Sequence, residues 1–183
     1  MAFLTYSDIK SYAAEFSKSQ ILEKASTFDD SKLAFLSYCS LDEDYLVGVI
    51  KFFEKYGVNV YVDKYDKRLP EPPDTQTASL LKKEIHSCKR FILLVSPNSK
   101  NSIWVPWELG LADGFKGVAP VALLPIGPTS IEAEWVKRQY LGLYPRIKFG
   151  PLKDKPSEIW NVFDPRDAKS WTLENWLHSS SLS

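Results

Sequence analysis

The hydrophobic positions of this chain fall into short apolar runs separated by amphipathic segments. The first run, residues 32–38 (KLAFLSY), is bounded by polar clusters, which is typical of a strand buried on both faces. Three later runs are also predicted to be strands: residues 58–63 (VNVYVD), 90–96 (RFILLVS) and 118–126 (VAPVALLPI). Helices are predicted around residues 41–56, 75–87, 104–113 and 131–137. This alternation predicts βαβ units in an open, doubly wound α/β sheet.

Two terminal segments flank these units. Between residues 7 and 25 the apolar positions approximate a helical stripe, which predicts a helix outside the main core. After residue 150, three tryptophans stand in polar surroundings and favour one or two terminal helices that pack on the core: Trp160, Trp171 and Trp176. The chain is thus divided into an N-terminal helical extension (1–30), a central domain (31–150) and a C-terminal helical segment (151–183).

The composition limits the class of protein. Lys plus Arg and Asp plus Glu each number 23 of 183 residues, so no net charge favours nucleic acid or an anionic membrane. Cys39 and Cys88 are too few for a disulfide framework and lack metal-ligand spacing, so both are predicted to be buried thiols in a reducing compartment. Asp8 and Lys10 interrupt any signal-peptide pattern, and no run reaches the ~18 apolar residues of a membrane span. A cytoplasmic protein is therefore expected.

In a doubly wound sheet, ligands bind in the crevice beyond the carboxyl ends of the strands. The segments that follow the predicted strands are therefore the candidate site: residues 37–44, 63–77, 96–104 and 125–130. The connection from Asp63 to Thr75 is long for such a unit and contains three prolines, which favours a lid or a docking loop. An exposed loop stiffened by proline would give the same pattern.

Several standard sites are absent from the sequence. There is no GxxxxGK[ST] loop and no GxGxxG fingerprint, which argues against phosphate binding by a glycine-rich turn. His86 and His178 have no partner at metal-ligand spacing, and Ser37 lies in no GxSxG elbow, so neither a metal site nor a serine hydrolase is predicted. A receiver domain would need an aspartate at the end of its third strand, where this chain has Ser96.

One carboxylate is unusual because it follows a tryptophan in an apolar stretch: Glu108 in NSIWVPWELGLADG, residues 101–114. In a helix that begins near residue 102, Trp104 and Glu108 lie four residues apart on one face, at the end that opens into the crevice. An aromatic ring beside a carboxylate suits a cationic or planar ligand. Alternatively, Glu108 complements the helix dipole while the tryptophans fill the core. The spacing alone leaves both interpretations open.

Together these stretches resemble the Toll/interleukin-1 receptor (TIR) domain family over roughly residues 31–143. The resemblance rests on LAFLSYCSLDED, VNVYVD, the proline-bearing loop, RFILLVSPNSKNSIWVPWELG and VALLPI, and on the W-x-x-x-E spacing of Trp104 and Glu108. It is strongest to stand-alone prokaryotic TIR proteins, including the NAD-consuming component of Thoeris-type antiphage systems. The chain departs from the family at Val105, where a cysteine often follows the tryptophan. The implied fold is a flavodoxin-like doubly wound sheet of about five parallel strands.

The resemblance also implies an activity, the cleavage of NAD+ between nicotinamide and ribose. Such an enzyme is an NAD glycohydrolase, or an ADP-ribosyl cyclase or transferase, of bacterial antiviral defence. Glu108 matches the family's catalytic glutamate, and substrate-binding or lid positions are expected at Ser37, Tyr38, Asp63, Arg68, Trp104 and Trp107. Neither a metal nor a cofactor is expected, since NAD+ is the substrate and nicotinamide leaves as a neutral base.

The sequence offers no side chain near Glu108 that could activate water, which favours a cyclic or conjugated ADP-ribose besides plain ADP-ribose. The expected partners are NAD+, further copies of the chain bound through the TIR domain, and a downstream effector that senses the product. Nucleic acid and membrane are not expected partners. Two other classes stay open: a non-catalytic TIR interaction scaffold, and an enzyme like the nucleoside deoxyribosyltransferases, whose related sheet also uses a glutamate near a sugar.

Overall fold

A computed structural model describes residues 2–14, 33–70, 72–129, 139–152 and 155–182. The strands are β1 (Leu4–Thr5), β2 (Ala34–Ser37), β3 (Val60–Tyr61), β4 (Arg90–Val95), β5 (Val121–Gly127), β6 (Arg146–Leu152), β7 (Lys155–Phe163) and β8 (Ser170–Thr172). The α-helices are α1 (Tyr6–Ala13), α2 (Leu46–Glu54), α3 (Thr75–Ser87), α4 (Trp104–Lys116) and α5 (Leu173–His178). Short 3-10 helices occupy Ser40–Tyr45, Asp63–Tyr65, Ser99–Asn101 and Gln139–Leu143. The helix predicted at residues 131–137 lies outside the described residues.

The described strands form one sheet in the order β3-β2-β4-β5-β6-β7-β8, and β1 pairs with β5. From β3 to β6 every pairing is parallel, whereas β7 and β8 are antiparallel. Hydrophobic clusters cover both faces of β2 and β4, which explains the continuous apolar runs of these strands. The predicted α/β class with a doubly wound, largely parallel sheet is confirmed.

Two hydrophobic clusters cover the two faces of this sheet. One contains Ile9 of α1, residues of α2 and Trp176 of α5, and the other contains Leu81 of α3 and Leu109 of α4. Successive residues of β2 alternate between them, with Leu36 in the first cluster and Phe35 in the second. The helices α3 and α4 therefore share the face on which the predicted site lies.

The described part of the N-terminal segment is not outside the core, contrary to the sequence prediction. Leu4 and Thr5 pair in parallel with the end of β5, and the backbone of Ala2 exchanges two hydrogen bonds with Phe149 at 2.8 and 2.7 Å. Helix α1 begins directly after this strand, and Ile9 is 1% exposed. Apolar residues that precede the predicted helix cause the difference, since they add a short strand to the sheet. Residues 15–25 of the predicted helix lie outside the described residues.

The C-terminal segment contains one of the one or two predicted helices, α5, and differs from the prediction in its strands. Among the described residues after 150, β7 and β8 extend the sheet through antiparallel pairing. Trp160 and Trp171 lie on these strands, while Trp176 lies on α5 and is fully buried. Aromatic and β-branched residues in SEIWNVF favour a strand once a neighbouring edge is available, and that edge is supplied by β6.

Arg90 joins α5 to the middle of the sheet. Its side chain is buried at the start of β4, and its Nε and Nη2 donate to the carbonyls of Trp176 and Ser179 at 2.5 and 2.6 Å. Burial lowers the pKa of Arg90 to about 10. The guanidinium also lies 5.3 Å from the centre of the Trp176 ring, where a cation is attracted to the aromatic face.

Two sequence expectations concern the environment of the chain. Cys39 and Cys88 are free and buried, as predicted. Within the described ranges, every helix is too short or too polar to cross a bilayer.

Gly48 of α2 is predicted to be required for the docking of α1. A Cβ at position 48 would lie 2.0 Å from the backbone oxygen of Ile9, so the helices must separate in Gly48→Ala. We expect a loss of about 1–3 kcal/mol in unfolding free energy, measured by urea titration, although alanine favours an isolated helix. Gly114→Ala in α4 is the matched control, because an added Cβ there meets nothing within 4 Å and should stabilise slightly. Equal effects of the two substitutions would contradict the prediction.

Candidate active site

The centre of the site is a hydrogen bond between a strand and a helix. Ser37, the last residue of β2, donates through Oγ to Oε2 of Glu108 on α4 at 2.5 Å. Ser37 is 1% exposed and Glu108 3% exposed. An ionised carboxylate at such a depth is unfavourable unless it is hydrogen-bonded or paired, so Ser37 supplies one compensating donor.

Helix α4 positions Glu108 through its own packing. Ser102 precedes the helix, and its Oγ accepts a hydrogen bond from the backbone N–H of Val105 at 3.2 Å, which satisfies one donor of the first turn. Val105 and Leu109 are both 2% exposed and pack in the core on either side of Glu108. Glu108 therefore lies in the buried first half of α4 and not on its solvent face.

The surroundings of Glu108 favour its neutral form over its ionised form, compared with a glutamate in water. Burial, and to a smaller extent the nearby charge of Asp63, raise the pKa of Glu108 to about 8 against the opposing effect of the Ser37 hydrogen bond. A carboxyl group with a pKa near neutrality is common in catalytic sites.

Asp63 lies at the same edge of the sheet. The pairs Ala34–Val60 and Phe35–Tyr61 join β2 to β3, so continuing this register places Asp63 level with Ser37. Burial raises the pKa of Asp63, while hydrogen bonds from the backbone N–H groups of Lys64 and of Asp63 itself oppose the shift. Tyr38 follows Ser37, and burial together with the charge of Asp63 raises its pKa well above the usual range.

These groups surround a pocket of about 500 Å³. It is lined by residues of four segments: Tyr38 and Ser40; Asp63, Lys64, Tyr65, Asp66, Lys67, Leu69, Pro70 and Pro73; Thr77 and Leu81; and Ser102, Trp104 and Glu108. A volume of this size accommodates a substantial small molecule. The pocket occupies the crevice beyond the strand ends, as the topology requires.

The structure separates the roles of the two tryptophans. Trp104 lines the pocket and is 36% exposed, while Trp107 packs against the core cluster beneath α4. Their rings meet edge to face with centroids 5.5 Å apart. Trp107 therefore packs between the core cluster and the Trp104 ring, and it is not among the residues that line the pocket.

Arg68 is also absent from the pocket lining. Its Nε donates to Asp66 at 2.8 Å, and its Nη2 donates to the fully buried Glu84 of α3 at 3.0 Å. Asp66 accepts a further hydrogen bond from Tyr61 Oη at 2.8 Å. Although burial opposes ionisation, the hydrogen bonds from Arg68 and Tyr61 lower the pKa of Asp66. This network anchors the start of the proline-bearing loop to β3 and α3.

A second polar network joins two other loops at this edge, and sequence reasoning missed it. The side chain of Asp42 is fully buried and accepts hydrogen bonds from Ser96 Oγ at 2.5 Å and Asn98 Nδ2 at 2.8 Å. It connects the segment after β2 to the segment after β4. The acidic run LDED in the sequence was the available signal, but nothing in it distinguishes the buried aspartate from its exposed neighbour Asp44.

Sequence reasoning included Lys64, Lys67 and Thr77 only as members of the candidate segment 63–77, and it missed Leu81 of α3, which also lines the pocket. Of the described residues, no three His, Cys, Asp or Glu side chains are grouped so that they could hold a metal ion.

The chain is similar to known proteins over most of its length. The family model described as the TIR domain matches residues 34–146. A relative from Bacillus cereus (strain MSX-D12), described as probable 3' cyclic ADP-D-ribose synthase ThsB', is 36% identical over 181 residues. The match covers 93% of this chain and 91% of the relative, so it includes both terminal segments.

Glu108→Gln is expected to stabilise the protein at alkaline pH. The pKa of Glu108 is about 8 in the folded chain and near the ordinary glutamate value of 4.5 in the unfolded chain. Its contribution to stability is therefore fully present below about pH 4.5 and is lost as the pH rises through about 8. Glutamine removes this loss, on the order of a few kcal/mol at pH 9. Thermal unfolding at pH 5 and pH 9 measures the difference, and a variant that gains nothing at pH 9 contradicts it.

Proposed function

The chain belongs to the TIR domain family, and we propose that it is an enzyme that cleaves NAD+ between nicotinamide and ribose. The observation that carries the proposal is the buried Glu108 carboxyl, which accepts a hydrogen bond from Ser37 and lines a pocket of about 500 Å³. The similarity to a probable 3' cyclic ADP-D-ribose synthase supports an ADP-ribose-derived product. We further propose that this product is a signal in Thoeris-type antiviral defence.

The chemistry needs few groups, because nicotinamide leaves as a neutral base and takes the electrons of the C–N bond with it. The ribose carbon then carries oxocarbenium character, which a preorganised carboxylate at the wall of the pocket stabilises. NAD+ brings a positively charged pyridinium, which favours the ionised form of Glu108 despite its raised pKa. Glu108 therefore stabilises the developing positive charge at the ribose carbon.

The remaining pocket residues match the parts of the substrate. Trp104, Tyr38 and Tyr65 offer aromatic surface for a planar ring. Lys64 and Lys67 line the same pocket, and their ammonium groups are suited to the diphosphate. Lys64 also pairs with Glu43, so Lys67 is the lysine that we assign first to the substrate.

Self-association and a downstream effector complete the proposal. Leu41, 65% exposed, and Ile103, 84% exposed, both lie at the carboxyl edge of the sheet, in the segments that border the pocket. Large apolar side chains at the rim of a site are suited to contact with another copy of the chain. We assign the enzyme to the cytoplasm, where NAD+ is available and the free thiols of Cys39 and Cys88 stay reduced.

Replacement of Glu108 tests the activity directly. Glu108→Gln should lower the release of nicotinamide from NAD+ by at least about 100-fold, since the charge that stabilises the transition state is lost. Asp113→Asn is a matched control, because it makes the same chemical change on the same helix but outside the pocket lining. Chromatography of the products separates nicotinamide from ADP-ribose species. Unchanged turnover in Glu108→Gln, or a product pattern of base exchange between deoxynucleosides, would refute the proposed function.

Dilution tests the proposed self-association. Nicotinamide release per molecule should fall as the protein concentration is lowered, and Leu41→Ser should move this fall to higher concentration. Leu143→Ser is the control, since Leu143 is 57% exposed but lies near the start of β6, at the opposite edge of the sheet. Activity per molecule that stays constant through a range shown to be monomeric by light scattering would exclude a role for assembly.

A further inference from the structure

We propose that Asp63 is a second catalytic carboxylate, which accepts the proton of the hydroxyl group that captures the ADP-ribosyl group after nicotinamide has left. The inference rests on the proposed function and assigns a separate role to each of two carboxylates in one pocket. Sequence analysis placed Asp63 among the substrate-binding positions and found no group near Glu108 that could act as a base.

The sheet brings the two carboxylates together from distant parts of the chain. The parallel register of β2 and β3 places Asp63 level with Ser37, whose hydroxyl binds Glu108. Both Asp63 and Glu108 line the pocket. The charge of Asp63 acts on Glu108 and on Tyr38, which shows that the three side chains share one electrostatic environment.

The two carboxylates differ in access. Glu108 is 3% exposed and uses one oxygen to accept from Ser37, so it is placed to act on the ribose deep in the pocket. Asp63 is partly exposed and lies on the loop that forms the outer wall. Its carboxylate accepts from the backbone N–H groups of Lys64 and Asp63, and a carboxylate has further lone pairs with which to accept a substrate proton.

Apart from Glu108, which the proposed function places at the ribose carbon, the ionisable groups among the described lining residues are poorer proton acceptors than Asp63. Asp66 is held by Arg68 and Tyr61, which lower its pKa. Tyr38 and Tyr65 stay protonated near neutral pH, since burial raises the pKa of both. Burial raises the pKa of Asp63, which makes its ionised form a stronger base than an exposed aspartate.

The step balances without a further reactant. The C–N bond breaks, and its electron pair leaves with neutral nicotinamide. A hydroxyl oxygen elsewhere in the same ADP-ribosyl molecule forms a C–O bond to the ribose carbon, and its proton passes to the Asp63 carboxylate and then to solvent. The products are nicotinamide, a cyclised ADP-ribose and one proton. When the hydroxyl is not deprotonated in place, water captures the ribose carbon and linear ADP-ribose forms.

Product partition in Asp63→Asn tests the proposal. Asparagine retains an acceptor oxygen for the backbone N–H groups and removes only the basic carboxylate. Total nicotinamide and the ratio of cyclic to linear ADP-ribose are measured by chromatography and mass spectrometry at a protein concentration that gives turnover. We expect the ratio to fall at least tenfold while nicotinamide release falls less, because general bases contribute roughly 10²- to 10⁴-fold. Asp63→Glu should restore part of the ratio, and Asp44→Asn, an exposed aspartate, should leave it unchanged.

The remaining possible results of this experiment each overturn either the role of Asp63 or the proposed function. An unchanged ratio in Asp63→Asn, whatever the rate, overturns the role of Asp63 and leaves NAD+ cleavage by Glu108 intact. Linear ADP-ribose as the only product of the unsubstituted protein has the same meaning. Loss of folding in both Asp63→Asn and Asp63→Glu, seen by circular dichroism, shows a structural role and also overturns the proposal. If the unsubstituted protein releases no nicotinamide, the proposed function itself fails.

Discussion

The site depends on a carboxyl group that is buried at the wall of the pocket. Glu108 is buried between two core residues of its helix, Val105 and Leu109, so α4 cannot rotate to expose it without opening the core. Its hydrogen-bond donor, Ser37, belongs to β2, which has neighbouring strands on both sides. The geometry of the proposed catalytic group is therefore fixed by the packing of the whole domain and not by a local loop.

The same burial that suits catalysis is unfavourable for stability. Burial and the nearby charge of Asp63 give Glu108 a pKa of about 8, so ionising this carboxyl costs more free energy in the folded protein than in water. Without substrate, Glu108 can keep its proton, so the folded chain does not have to bear the cost of ionising it. In the proposed reaction, the positive charge of the substrate favours the ionised carboxylate. Substrate and active charge state are thus coupled through one electrostatic interaction.

A rigid network and the proline-bearing loop together form the outer wall of the pocket. Asp66 and Arg68 hold the start of the loop to Tyr61 and to the buried Glu84 of α3. This position explains why Arg68, a substrate-binding candidate from the sequence, is engaged with carboxylates and lies outside the pocket lining. Its effect on substrate would act through the shape of the loop, which supplies Leu69, Pro70 and Pro73 to the wall.

The sequence by itself determined the order of strands and helices from β2 to β5, because hydrophobic runs and helical stripes depend on neighbouring residues alone. It also predicted that Trp104 and Glu108 lie on one helix, since their four-residue spacing is a local property. The terminal segments differ from prediction because of residues far away in the chain. β1 forms by pairing with β5 and β7 by pairing with β6, so neither strand can be predicted from its own residues.

The roles within the site were likewise decided by the tertiary structure. Only the parallel register brings Asp63 level with Ser37, and only the packing of α3 and α4 turns Trp107 to the core and Trp104 to the pocket. The pairing of Asp42 with Ser96 and Asn98 likewise joins residues more than fifty positions apart. Sequence patterns record which side chains are present and how they are spaced, whereas burial, pKa and hydrogen-bond partners arise from contacts between segments that are far apart in the chain.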